Sequence, residues 1–277
     1  MITVPLIDIN AFLAEDIGSG DVTALLIAES KQATAQVITR EKMVVCGQAW
    51  FEAVFKTLNP MLIIRWLISE GEEVPANTLL CELSGSARAL LTGERTALNL
   101  LQTLSATATV ARHYANAVKG TNCKVLDTRK TIPGLRLAQK YAVACGGCVN
   151  HRIGLYDGVL IKENHIIAAG SITQAIALAK SQTTLPVEVE VESLDELQQA
   201  LLAKPNRIML DNFSLVNLKT AVALNNEHTE LEASCDITLN NIRAVAETGV
   251  DFISIGALTK HIKAIDLSMR INLNDFE

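Results

Sequence analysis

Residue types able to do chemistry recur at regular intervals in the second half of the chain. Asp127, Arg129 and Lys130 follow the apolar run Val125–Leu126, and Lys162 follows Val159–Ile161. Glu190 and Glu192 lie at Val187–Val191, Asp211 ends Ile208–Leu210, Ser234 ends Leu231–Ala233, and Gly256 ends Phe252–Ile255. From Glu190 the steps to Asp211, Ser234 and Gly256 are 21, 23 and 22 residues, about one strand-helix unit each. Polar groups at the carboxyl ends of successive parallel strands converge on one mouth in a barrel, or line a crevice in an open sheet. The ladder favours the barrel.

The charges around these positions point to an anion. Between Lys124 and His165 there are seven basic and three acidic residues, inside a chain whose net charge is −6. Arg129, Lys130 and Lys162 sit at strand ends. Arg136 and Lys140 read equally well as solvated surface charge. Arginine matches carboxylate and phosphate with paired donors.

Val187-Glu-Val-Glu-Val-Glu192 places three valines on one strand face and three glutamates on the other. Alone, it reads as an edge strand with an acidic solvated face. In a barrel the valines pack under helices, and the inward glutamates require cationic or metal partners. Lys130, Arg129 and Lys162 are the candidates.

Several chemistries lack their usual residues. There is no H-E-x-x-H, G-x-S-x-G, Walker P-loop or G-x-G-x-x-G sequence. Cys145-Gly-Gly-Cys148 has redox or zinc spacing, but no second C-x-x-C accompanies it, so a glycine-rich turn is the better reading. Six cysteines in 277 residues suit a reducing compartment.

Composition bounds the rest. At 49% hydrophobic and 19% charged the chain can build a large core, and its acidity and 4% aromatic content argue against nucleic acid or anionic membrane as partner. The N-terminus lacks a basic signal region, and the longest uncharged runs fall short of the roughly 20 residues that a membrane span needs. A cytoplasmic location is therefore expected. A helix is expected over 86–118, broken at Thr92–Gly93. Ser193 and Glu196 predict a capping box, and a further helix is expected from Thr238 to Thr248, ended by Gly249.

The motifs in order resemble the quinolinate phosphoribosyltransferase family. They are Asp16-Ile-Gly-Ser-Gly-Asp-Val-Thr23, Glu94-Arg-Thr-Ala-Leu-Asn99, Asp127-Thr-Arg-Lys-Thr-Ile-Pro-Gly-Leu-Arg136 and Lys140-Tyr-Ala-Val143. Asn150-His-Arg152, Leu160-Ile-Lys-Glu-Asn-His165, Glu188-Val-Glu190, Met209-Leu-Asp-Asn212 and Ile255-Gly-Ala-Leu-Thr259 complete the series.

The resemblance implies an α/β fold, with an N-terminal α/β sandwich over 1–105 and an α/β barrel over 106–261, and with 262–277 packing back on the first domain. It implies transfer of phosphoribosyl from phosphoribosyl pyrophosphate to quinolinate with Mg²⁺, giving nicotinate mononucleotide, pyrophosphate and CO₂. Arg129, His151 and Arg152 are the positions expected to hold the dicarboxylate, joined by Arg95 reaching across a homodimer or larger homo-oligomer. Lys130 and Lys162 are expected near pyrophosphate and substrate. Glu190 and Asp211 are expected at the ribose hydroxyls and Mg²⁺, and Ser234 and Gly256 at the 5′-phosphate.

One departure bears on the phosphate seat. Ser234 is normally followed by Gly and then Gly or Asn, whereas here Cys235 and Asp236 follow. A Cβ resists positive φ, and aspartate adds negative charge beside a phosphate. Weakened phosphoribosyl pyrophosphate binding is expected. The alternatives are a catalytically weak or silent homologue, the molybdenum-transport-associated homologue of the same fold, and a nicotinate-specific enzyme.

Overall fold

A computed structural model describes residues 8–226 and 229–273, so 1–7 and 274–277 of the expected domain spans lie outside the described residues. In chain order the elements begin with α1 (Ile9–Ile17), β1 (Gln32–Thr39), β2 (Met43–Val44), α2 (Gln48–Leu58), β3 (Ile63–Trp66), β4 (Glu73–Val74), β5 (Leu79–Ser86) and α3 (Ala87–Ala117). They continue with β6 (Lys124–Leu126), α4 (Arg136–Cys145), β7 (Val159–Ile161), α5 (Glu163–Ala169), α6 (Ile172–Gln182), β8 (Val187–Val191) and α7 (Leu194–Ala203). The series ends with β9 (Arg207–Asp211), α8 (Leu215–Leu224), β10 (Glu230–Ser234), α9 (Ile242–Ala246), β11 (Phe252–Ser254), α10 (Ala257–Lys260) and β12 (Leu267–Asn272).

The chain divides into two compact units. The first takes residues 8–111, 137–146 and 261–273 and is built on an antiparallel sheet of order β12-β1-β5-β3. Alternation along β1 buries Ala33, Ala35, Val37 and Thr39 on one face. The late strand β12 returns to pair with β1, from Thr34 opposite Asn272 to Thr39 opposite Leu267. Helix α3 runs unbroken where a break at Thr92–Gly93 was expected. A Cβ on Gly93 would sit 2.9 Å from Leu58 Cδ1 and Phe55 Cδ1, so this glycine lets α2 lie close against α3.

The second unit takes residues 112–136 and 147–260 and holds six parallel strands in the order β6-β11-β10-β9-β8-β7. From β7 to β11 consecutive strands are neighbours, the first strand β6 pairs with the last, β11, and β6 and β7 form the two ends of the order. That pairing of first and last strand is barrel topology, and among the described residues the strand order shows no reversal point of a doubly wound sheet. Strand β8 lies beneath α6 and α7 with Val187, Val189 and Val191 buried, each side chain contributing about 1.5–3 kcal/mol of apolar burial.

Two local expectations are modified. The Ser193 hydroxyl caps α7 by accepting from Glu196 N at 3.2 Å, but the Glu196 carboxylate accepts from Glu192 N rather than from the cap residue's own amide. The helix expected over 238–248 shrinks to α9. Asn241 Oδ1 accepts from Thr238 N at 2.7 Å, and this side-chain turn replaces the first helical turn.

Candidate active site

The strand-end residues gather at the carboxyl end of the barrel strands. Ile161 is in register with Val189, which sets Lys162 beside Glu190, and Lys162 Nζ forms an ion pair with Glu190 Oε2. The Lys162 amide donates to His165 Nδ1 at 3.0 Å, which fixes the chain as it enters α5. Asp211 and Ser234 are partners in register on β9 and β10, and Asn212 N donates to Ser234 O at 3.2 Å.

Cys235 and Asp236 leave β10 with φ of 78° and 50°. Both adopt the left-handed backbone that glycine takes freely, at a cost of roughly 1–2 kcal/mol for an L-residue. The loop that glycine normally builds is therefore reached under strain. Asn241 Nδ2 steadies it by donating to Asp236 O at 3.0 Å.

Across the mouth, Thr259 Oγ1 donates to Lys130 O at 2.7 Å, and Lys130 N donates to Thr128 Oγ1 at 3.1 Å. A Cβ on Gly256 would stand 3.1 Å from Lys130 Cδ. Gly256 thus leaves room for the Lys130 side chain to lie over the end of β11. Arg136 braces the same loop: its guanidinium donates to Thr131 Oγ1, Ile153 O and Arg129 O.

Arg129 and Arg152 are near enough for one cation to act on the other. Burial first, and then the charge of Arg129, lower the pKa of Arg152. Arg152 Nη1 donates to Gly158 O at 2.9 Å, and Asp157 steadies the intervening loop by accepting from Ile153 N and Gly154 N. A pair of guanidiniums in mutual repulsion is a receptor for a compact dianion.

His151 is placed differently from a simple substrate ligand. Asp127, fully buried, accepts from Asn150 Nδ2 at 2.7 Å and from His151 N at 2.9 Å, which turns His151 into the barrel. There its Nε2 lies 2.9 Å from Glu188 Oε2 and 3.5 Å from Glu232 Oε2. Its Nδ1 accepts from Arg152 N at 2.8 Å. Burial opposes a charge on the ring, but the two carboxylates outweigh it and push the His151 pKa up. A second proton would have to sit on Nδ1, where the Arg152 amide points. The Arg152 amide keeps Nδ1 unprotonated, and Nε2 carries the proton that faces the two carboxylates.

Glu188 and Glu232 form the floor of this arrangement. Burial raises the pKa of Glu188, whereas His151, Ser254 and Arg207 together hold Glu232 below the usual carboxylate range despite its burial. Arg207 Nη1 lies 3.1 Å from Glu232 Oε2, its Nη2 lies 2.9 Å from Glu230 Oε2, and its guanidinium stacks 4.0 Å from the centre of the Phe252 ring. The inward glutamates of β8 therefore find their cations at Lys162 and, through the His151–Glu232 cluster, at Arg207. Lys130 and Arg129, also expected as partners, are not recorded in ion pairs with them.

Arg207 and Glu232 carry no site role in the sequence, and Asp127 stands there only as a strand-end group. Glu230-Leu-Glu-Ala-Ser234 looks like a half-solvated strand, and only the barrel closure shows that Glu232 faces inward. The signal that was available is the alternation itself, which matches that of β8.

One expected participant, Arg95, lies in the other unit. It is on α3, with its side chain largely exposed and 3.9 Å from Glu94. Lys140, which read equally well as solvated surface charge, is instead buried on α4 of the same unit. All six cysteines are free thiols. Cys46 and Cys145 lie with Glu70 in the first unit, but the Glu70 carboxylate accepts from Gly47 N and Gln48 N at the start of α2, and burial pushes the Cys46 thiol well up. That cluster anchors a helix.

Glu190 and Asp211 offer hard oxygen donors at adjacent strand ends. They belong to no three-residue metal cage among the described residues. One Glu190 oxygen is held by Lys162. Two carboxylates fit Mg²⁺, which keeps water and phosphate oxygens as most of its shell.

Two family models match the chain, one on each side of residue 106. Residues 21–105 match the model for the quinolinate phosphoribosyl transferase N-terminal domain, and residues 107–270 match that for the C-terminal domain. The probable nicotinate-nucleotide pyrophosphorylase (carboxylating) of Synechocystis sp. is 41% identical over 271 residues, covering 96% of this chain and 92% of the relative. The corresponding Bacillus subtilis protein is 38% identical, covering 96% and 93%. Among solved structures, the nicotinate-nucleotide pyrophosphorylase from Francisella tularensis is 52% identical with a TM-score of 0.92, covering 95% of this chain and 94% of that one.

Proposed function

The chain belongs to the quinolinate phosphoribosyltransferase family, and from that premise we infer the reaction its site carries out. It is a decarboxylating pentosyltransferase of NAD biosynthesis. It joins quinolinate to phosphoribosyl pyrophosphate and yields nicotinate mononucleotide, pyrophosphate and CO₂. The observation that carries the reading at this site is the gathering of Lys162, Glu190, Asp211 and Ser234 at neighbouring strand ends, with Lys162 paired to Glu190 and Asp211 in register with Ser234.

In this reading Arg129 and Arg152 each take one carboxylate of the pyridine diacid. Lys130 and Lys162 face the pyrophosphate, with Ser234 and the backbone at Gly256 at the 5′-phosphate. Glu190 and Asp211 lie at the ribose hydroxyls. When pyrophosphate departs, the C1–O bond breaks and positive charge develops on the ribose. Carboxylates fixed in advance nearby stabilise that charge without reorganising. The pyridine nitrogen then forms the bond to C1, and its ring becomes cationic. Loss of CO₂ from the adjacent carbon leaves a carbanion that the ring cation stabilises, and a proton replaces the carboxylate.

Mg²⁺, held by Glu190 and Asp211 together with substrate oxygens, would supply neutralisation of the pyrophosphate charge. The remaining contribution of the protein is to hold two polyanions in attacking geometry. Arg95 completes the site of a second subunit in a homodimer or larger assembly, and the enzyme acts in the cytoplasm. No helix among the described residues is long and apolar enough to cross a membrane.

The test is carbon and phosphorus balance with quinolinate labelled in the 2-carboxylate. One labelled CO₂ and one pyrophosphate per nicotinate mononucleotide support the reading. Pyrophosphate release without CO₂ refutes it.

A further inference from the structure

Beneath the strand-end groups, polar contacts run through the barrel interior from the amino end of β9 to the mouth. Arg207 begins β9 and is in register with Glu188 on β8 and Glu230 on β10. Its guanidinium is held from three sides, by Glu230, by Glu232 and by the face of Phe252. Glu232 and Glu188 then meet at one atom, His151 Nε2, at 3.5 and 2.9 Å. A bare nitrogen lone pair cannot stand between two carboxylate oxygens, so Nε2 carries a proton. On the far edge of the ring, Nδ1 accepts from the Arg152 amide at 2.8 Å.

We propose that Arg207, Glu232 and Glu188 are positioning residues for the reaction: they clamp His151 through Nε2 so that its Nδ1 fixes Arg152, whose guanidinium receives a substrate carboxylate. The proposal rests on the quinolinate reading above and assigns His151 an action through Arg152. The same three side chains, His151, Glu188 and Glu232, are spaced to hold a metal ion. The fixed guanidinium 3.1 Å from Glu232 disfavours a dication there, so the cluster holds a proton.

A core ion pair with no role beyond folding would stabilise the barrel and leave substrate constants alone. The clamp instead links Arg207 to one substrate. Steady-state constants of E232Q and R207M are measured beside the wild type, with R207K as the conservative variant. The clamp raises KM for quinolinate at least tenfold in E232Q and R207M, keeps KM for phosphoribosyl pyrophosphate within twofold, and lets R207K recover part of the loss. Unchanged KM for quinolinate in folded E232Q and R207M overturns it, whatever their melting temperatures.

A second measurement needs neither folded E232Q or R207M nor turnover. In ¹⁵N-histidine-labelled wild type at pH 7, the His151 signals are identified by their loss in H151N. They show a protonated Nε2 and an unprotonated Nδ1. A ring protonated on Nδ1, alone or together with Nε2, overturns the clamp. If the wild type turns over no quinolinate, the reading of the reaction fails, and the ring tautomer still decides the clamp.

Discussion

The backbone amide of Arg152 donates to Nδ1 of His151 at 2.8 Å, so two of the residues expected to hold the dicarboxylate are also tied to each other. The histidine reaches down to buried carboxylates while the arginine reaches out to Gly158 O at the barrel mouth. Binding of the diacid and the internal order of the barrel therefore meet at one dipeptide.

Arg152 matters through its paired donors rather than its charge alone. Arg152→Lys keeps the charge and loses the fork, and kcat/KM for quinolinate is expected to fall about 10²-fold, roughly 2.7 kcal/mol of transition-state binding. Arg152→Ala should fall further. Steady-state kinetics with saturating phosphoribosyl pyrophosphate checks this, and a lysine variant within threefold of wild type contradicts it.

Arg95 in the first unit and Arg152 in the second allow a test of sharing between subunits. Arg95→Ala and Arg152→Ala are each expected to be nearly inactive. Mixed, unfolded and refolded together as a dimer, they should recover about a quarter of wild-type activity, because half the dimers are mixed and each of those has one intact site. No recovery in verified mixed oligomers contradicts a site completed across subunits.

The left-handed backbone at Cys235 predicts a gain on adding glycine. Cys235→Gly should stabilise the protein by about 1 kcal/mol in urea unfolding, by removing a Cβ from a positive-φ position. Combined with Asp236→Asn, which removes a negative charge from the phosphate seat, it should lower KM for phosphoribosyl pyrophosphate. An equal or higher KM contradicts that account.

Glu232 makes a prediction about acid. Its folded pKa lies below the ordinary value, so its contribution to stability is full above about 4.3 and is lost as pH falls through the folded value. Glu232→Gln has no such titration. The stability gap between wild type and the variant should therefore hold at pH 7 and 5 and narrow below pH 4. A gap constant from pH 7 to pH 3 in urea unfolding contradicts it.

Much of this site was legible because its chemistry is periodic. Steps of 21, 23 and 22 residues from Glu190 to Gly256 mark one strand end each, and the structure places all four residues at the carboxyl ends of neighbouring strands. The interior was less legible. Arg207 and Glu232 meet only because β9 and β10 pair in parallel, and the alternation in Glu230-Leu-Glu-Ala-Ser234 suits an inward carboxylate and a solvated one alike. Gly93 misled for a related reason: glycine weakens an isolated helix, but here the approach of Phe55 and Leu58 requires it. At Thr238 a side-chain turn outcompeted the helix that hydrophobic spacing predicts.

The most direct test of the central claim is kcat/KM for quinolinate against nicotinate, each with phosphoribosyl pyrophosphate and Mg²⁺. The paired arginines predict nicotinate mononucleotide from quinolinate, with nicotinate at least 10³-fold poorer, since a monoacid leaves one guanidinium without its partner. Comparable turnover of both acids, or product from nicotinate alone, would contradict a site built for the dicarboxylate.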